Sequence, residues 1–126
     1  MRLMLVLISI LAVIISFSFW TNHLLQASAD EMLQSIVEIE QVLVNNEWEQ
    51  AQARTDEMEK IWDKKAGWWP AVLDHQEIDN IEFSMAKTRE YIAAKDAPLS
   101  WGQISELKLM ISHIPEKESL KVINIF

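Results

Sequence analysis

Two groups of side chains in this 126-residue sequence have types and spacings that could do chemistry. The first is His75, Asp79 and Glu82. Residues four and seven apart share a face of an α-helix. An imidazole beside two carboxylates can hold a divalent cation or be poised as a base, as a metal-dependent hydrolase would require. The pattern is thin, however. No HExxH motif is present, and His113 joins the group only if the following helix packs antiparallel in the right register. The stripe Ile78, Ile81, Met85 lies about a quarter turn away on the helical wheel, so the trio flanks a core and does not enter it. Surface pairing of His75 with Asp79 is therefore the first reading, contact with a partner the second, and metal binding or catalysis the last. The second group is tryptophan: Trp48, Trp62, Trp68, Trp69 and Trp101 all fall after residue 29. Large aromatics enlarge the core of a small domain. The alternative is a Trp-lined site for a glycan, peptide or lipid headgroup, with Trp68 and Trp69 as contacts. Those two are adjacent in sequence, so they should point apart and leave one partly exposed.

Composition removes other classes. Cysteine is absent, so thiolate metal sites, disulfides and Cys nucleophiles are excluded. The only glycines are Gly67 and Gly102, too few for a phosphate-cradling loop. Residues 30–126 carry 19 acidic and 10 basic side chains, a net of −9, which phosphate backbones would repel. No catalytic constellation and no cofactor pattern emerges. The expectation is a non-enzymatic protein with no cofactor and no nucleic-acid partner.

The elements that must position these residues begin with an apolar run. Residues 3–20 contain no charge. As a helix they span about 27 Å, close to the roughly 30 Å hydrocarbon core of a bilayer. Trp20 stands where an interfacial aromatic belongs. Residues 1–23 are thus expected to be a transmembrane anchor or uncleaved signal, and 24–126 an extracytoplasmic helical domain. Arg2 precedes the run, while 21–53 hold no Lys or Arg, which puts the C-terminal side outside a single-pass cell membrane protein. The alternative is secretion after cleavage at Ala29, because Ala27-Ser28-Ala29 fits a small-x-small site.

Four amphipathic segments follow. Leu25, Ala29, Met32, Ile36, Ile39 and Leu43 form a helical seam over 24–45 that can continue the membrane helix and could pair two copies of the chain. Asn46 is expected to cap a second helix over 47–66, with Trp48, Ala51, Thr55, Met58 and Trp62 inward and Gly67 as its stop. A third and longest helix is expected over 71–96, led in by Pro70 and ended by Asp96-Ala97-Pro98. Ser100 with Gln103 reads as the cap of a fourth, whose face is Trp101, Ile104, Leu107, Ile111 and Ile114 and whose end is Pro115. The β-branched tail 119–126 reads as a short extended segment lying on the bundle, with Phe126 and Ile123 or Ile125 buried, or else docking a partner. The predicted fold is all-α: an N-terminal transmembrane helix, then a three- or four-helix antiparallel bundle with that short tail.

Trp48, Trp62, Trp68, His75, Glu77, Ile78, Ile81, Tyr91-Ile92 and the closing Asn124-Ile125-Phe126 resemble a family of small Firmicute proteins (Bacillus and Clostridium type), known only as a domain of unknown function. The resemblance covers nearly the whole chain. It implies one N-terminal hydrophobic helix, a helical remainder, and a Gram-positive host with the domain at the outer face of the cell membrane or in sporulation compartments. It implies no reaction. The functional expectation is a membrane-anchored interaction or structural module whose partner is a membrane or envelope protein.

Overall fold

The computed structural model describes residues 1–71 and 73–125, with side chains through Ile114. Its helices are α1 (Arg2–Leu43), α2 (Trp48–Lys65), α3 (His75–Ala93) and α4 (Ala97–Ile125), with a short 3-10 turn at Trp69–Ala71. Short connections force chain neighbours to run antiparallel. Each helix packs on the next, and α4 closes the ring against α1. The result is an up-down-up-down four-helix bundle, all-helical as the periodicity predicted.

α1 has two halves. From Leu3 to Trp20 its side chains are exposed, apart from half-buried Ser18. From Leu25 onward it is the spine of the bundle. Leu25, Ala29, Met32, Ile36, Ile39 and Leu43 are all buried. This seam is filled by the chain's own α2 and α4, so within this fold it is interior and not a free face for a second copy. No break separates the halves, and Thr21 returns its hydroxyl to the Phe17 carbonyl at 2.9 Å inside the same helix.

The inward faces of the other helices follow the predicted stripes. Ala51, Thr55, Met58 and Trp62 are buried on α2, Ile78, Ile81, Met85, Thr88 and Ile92 on α3, and Ile104, Leu107, Ile111 and Ile114 on α4. Several ends differ from expectation. Asn46 does not cap α2. It takes a left-handed φ of 55° and closes α1, with the Glu47 N–H donating to the Val42 carbonyl at 3.1 Å. Gly67 is not a left-handed stop, because no glycine has positive φ. Right-handed turns continue past Ala66 through Trp69–Ala71, so α3 starts at His75 and spans 19 residues, shorter than both α1 and α4.

Asp96-Ala97-Pro98 belongs to the next element. Lys95 is left-handed at φ 56°, and Asp96 Oδ1 accepts the Leu99 N–H at 3.0 Å, so Asp96 and not Ser100 caps α4. Ser100 is buried in the first turn, and Gln103 reaches across to donate to Ser84 Oγ on α3 at 2.6 Å. Pro115 does not end α4, whose backbone stays helical to Ile125. The extended tail is therefore corrected to helix. Propensity differences among non-proline residues are below about 1 kcal/mol, while each residue added to an existing helix gains a hydrogen bond. The packing expected of Ile123, Ile125 and Phe126 lies outside the described side chains.

Candidate functional site

Bulky aromatics and the turn they occupy build the first candidate. The corner between α2 and α3 folds three indoles together. Trp62 and Trp69 meet edge-to-face with ring centres 5.0 Å apart, and Trp68 meets Trp69 likewise at 6.0 Å. Trp62 donates its indole N–H to Glu82 Oε1 at 3.1 Å, tying α2 to α3. Beside them Lys65, largely buried, reaches Glu31 Oε2 at 2.6 Å and ties α2 to α1. Trp69 is fully buried, whereas Trp68 keeps part of its surface open. Trp69 therefore fills core, and a ligand approaching this corner meets Trp68.

The His75, Asp79 and Glu82 side chains are all exposed on α3. Glu82 is taken by the Trp62 indole. Among the described residues no three His, Asp or Glu side chains are arranged to hold a metal ion. His75 thus stands at the outer start of α3 without convergent ligands.

A second candidate was not singled out by the sequence reading. Between α3 and α4 lies an open cleft of about 210 Å³. α3 lines it with Glu77, Asn80 and Ile81; α4 lines it with Glu106, Leu109, Met110, His113 and Ile114. Positions three and four apart stack on one side of each helix, which is how these residues come to face one groove. Ile81 and Ile114 are buried at its floor, Met110 is half-buried, and Leu109 is well exposed at the rim. The cleft pairs an apolar floor with two carboxylates and the His113 imidazole. It can seat an apolar side chain and hold a neighbouring cation. His113 comes to α3, as antiparallel packing allowed, but it meets the surroundings of Glu77 and not a metal cluster around His75. The sequence signal was slight: Glu77 and His113 each sit beside a core stripe, and only the register of α3 against α4 joins them.

One further acid is perturbed. Glu59 on α2 is bound by Arg89 of α3, which also reaches Asp56 Oδ1 at 3.2 Å. Burial raises the Glu59 carboxyl above its ordinary pKa, Arg89 opposes that rise, and Asp56 and Asp63 add to it. This group links two helices away from the cleft.

Comparison with known proteins gives one match. A family described as a domain of unknown function (DUF4363) matches residues 19–125. No curated protein and no solved structure matches the chain.

Proposed function

The chain belongs to the DUF4363 family, and from that premise we propose that it is a membrane-anchored helical interaction module. The observation that carries this reading is the continuity of α1. One unbroken helix passes from an exposed, uncharged apolar rod into the core of the bundle. Fifteen exposed apolar side chains between Leu3 and Trp20 would be a severe aggregation liability in water, and lipid is the medium that matches the length and chemistry of this run. The charge asymmetry about the rod supports a bundle on the outer face of the membrane. A single-pass anchor, uncleaved, is thus the reading for residues 1–23.

The α3–α4 cleft is the face offered to a partner. Its carboxylates and apolar floor suit a protein segment that presents an apolar side chain next to Lys or Arg, and the acidic domain would draw such a segment in. The binding of a small ligand at the tryptophan corner is the second reading, favoured only by the open surface of Trp68.

The test has two parts. A full chain expressed in membranes should resist extraction by alkaline carbonate, and a reporter joined after Phe126 should be active only on the outer side. Release by carbonate would overturn the anchor, and cytoplasmic reporter activity would reverse the orientation. Crosslinking from position 109 or 113 should then recover a membrane or envelope protein, and capture that persists when Glu77 and Glu106 are both changed to Lys would overturn the role given to the cleft.

A further inference from the structure

The connections at the two ends of the bundle differ in character. α1 enters from the apolar rod, so residues 44–47, joining α1 to α2, and 94–96, joining α3 to α4, lie at the end far from the rod. Residues 66–74, joining α2 to α3, lie at the near end. The far connections are Val44-Asn45-Asn46-Glu47 and Ala94-Lys95-Asp96, each with charged or amide groups to offer water. The near one opens Ala66-Gly67-Trp68-Trp69-Pro70-Ala71, which holds no charge and no hydrogen-bonding side chain besides the two indoles. Gly67, Pro70 and Ala71 are exposed and Trp68 is half-buried. Core filling accounts for Trp69, which is buried against Trp62, but not for the open side of Trp68. An aromatic with an apolar body and a polar tip is suited to the boundary between lipid and water.

The height of this corner above the rod follows from an ion pair. Lys65 Nζ meets Glu31 Oε2 at 2.6 Å, so the end of α2 is level with Glu31 on α1. α2 runs antiparallel to α1, and helical turns carry the chain on from Lys65 to Trp68, whose N–H donates to the Lys65 carbonyl at 3.1 Å. That step brings Trp68 about 4.5 Å further toward the rod. Glu31 is eleven residues from Trp20, about 16.5 Å, which leaves the Trp68 backbone about 12 Å above Trp20. The headgroup layer outside the hydrocarbon takes up about 5–7 Å of this. Spanning helices tilt by about 20° on average, and interfacial tryptophans help to set the tilt. With packed helix axes about 8–10 Å apart, such a tilt lowers the end of α2 by about 3 Å. The remainder, about 2–4 Å, is less than the length of a tryptophan side chain. Lys64 at this end is offset by Asp63 and Asp74, all three exposed, so the contact is one of apolar and indole surface and needs no anionic lipid.

We propose that the α2–α3 corner, through Trp68 and the exposed Gly67, Pro70 and Ala71, rests in the headgroup layer of the bilayer and leans the bundle toward the membrane on that side. This rests on the membrane anchor proposed above. The chain has no cysteine, so single labels are clean. The full chain is reconstituted in phosphatidylcholine vesicles with an environment-sensitive fluorophore at Ile8→Cys in the rod, Gly67→Cys or Ala71→Cys at the corner, or Asn45→Cys in a far connection. A Cβ at Gly67 meets nothing within 4 Å and no glycine has positive φ, so that label site is unstrained. Expected are blue-shifted emission at 8, 67 and 71, and loss of intensity at 67 and 71 when nitroxide lipids labelled near the headgroup are added, with neither effect at 45. Adding Trp68→Ser to the chain labelled at 71 should weaken that quenching; unchanged quenching would overturn the part given to Trp68. A rod label in lipid with 67 and 71 behaving like 45 would overturn the proposal and leave the anchor standing. So would labels at 67 and 71 shielded from both lipid-borne and aqueous quenchers, which would mean that protein covers the corner. A rod label that stays in water would overturn the anchor and this inference together.

Discussion

Trp69 combines the deepest burial of any indole in the chain with an unmet polar group. Its Nε1 finds no acceptor among the described residues, whereas Trp62 Nε1 has Glu82. An unpaired buried donor costs about 1–3 kcal/mol, and a T-shaped ring pair contributes about 0.5–1.5 kcal/mol beyond burial. Trp69→Phe keeps an edge-to-face ring and removes the unmet N–H, so its cost in urea unfolding should stay well under that of Trp69→Ala, about 3–5 kcal/mol. Equal costs would mean that the indole N–H has a partner that matters. Glu59 gives a pH prediction. A carboxyl whose folded pKa is raised binds its proton more tightly in the folded state. Its contribution is then fully present below the unfolded pKa and is lost as pH rises through the folded one. Glu59→Gln removes this term. The stability gap between native chain and variant should move in favour of the native chain as pH falls from neutral to about 4. Movement the other way would show that attraction to Arg89 outweighs burial. Tryptophan content was legible in the sequence as core material. Which indole would be closed off was not, because that depends on how the 3-10 turn stacks Trp69 against Trp62.

At the scale of the elements, the ends of the helices repeat one device. Asn46 and Lys95 both adopt the left-handed conformation, and in each case the next residue donates its N–H five residues back, Glu47 to Val42 and Asp96 to Tyr91. That conformation costs a residue bearing a Cβ roughly 1–2 kcal/mol, less for asparagine. Lys95→Gly should therefore stabilise the bundle by about 1 kcal/mol, and Asn46→Gly by less, read from thermal unfolding. No gain at Lys95 would imply that its side chain contributes something that offsets the strain. The α4 cap gives the converse: Asp96→Ala should cost about 0.5–2 kcal/mol through loss of the bond to the Leu99 N–H. The inward stripes were readable from period alone, since burial repeats every three or four residues whatever the loop does. The ends were not. Asn46, Gly67 and Ser100 are each good local signals, but several competing caps lie within two residues, and the tertiary position of each helix selects among them. Pro115 illustrates the same competition. It removes one hydrogen bond to the Ile111 carbonyl, and the helix nevertheless continues through it.

For the whole molecule, the decisive feature is that one helix has an exposed apolar half and a half buried in the bundle. The small-x-small sequence Ala27-Ser28-Ala29 looked like a processing site when read locally, yet in the fold it lies within α1, with Ser28 and Ala29 buried in the bundle. Cutting after Ala29 would remove not only the rod but also Leu25, which is 1% exposed and packs in the core cluster. The register of α1 against its neighbours, which the local motif does not contain, is what buries Ser28 and Ala29 in the bundle of the uncut chain. Two truncated chains separate the rod from the core. One starting at Asn22 loses the rod and keeps Leu25; one starting at Asp30 loses both. Burying a leucine is worth about 1.5–3 kcal/mol, against a total stability of about 5–15 kcal/mol for a small domain. With roughly 4–8 °C per kcal/mol at this size, the chain starting at Asp30 should melt on the order of 6 °C or more below the one starting at Asn22. The mature protein from native membranes should correspondingly have a mass that includes the residues before Asp30. Equal melting temperatures, together with a mature chain beginning at Asp30, would mean that the bundle is complete without Leu25 and that the rod acts only as an export signal.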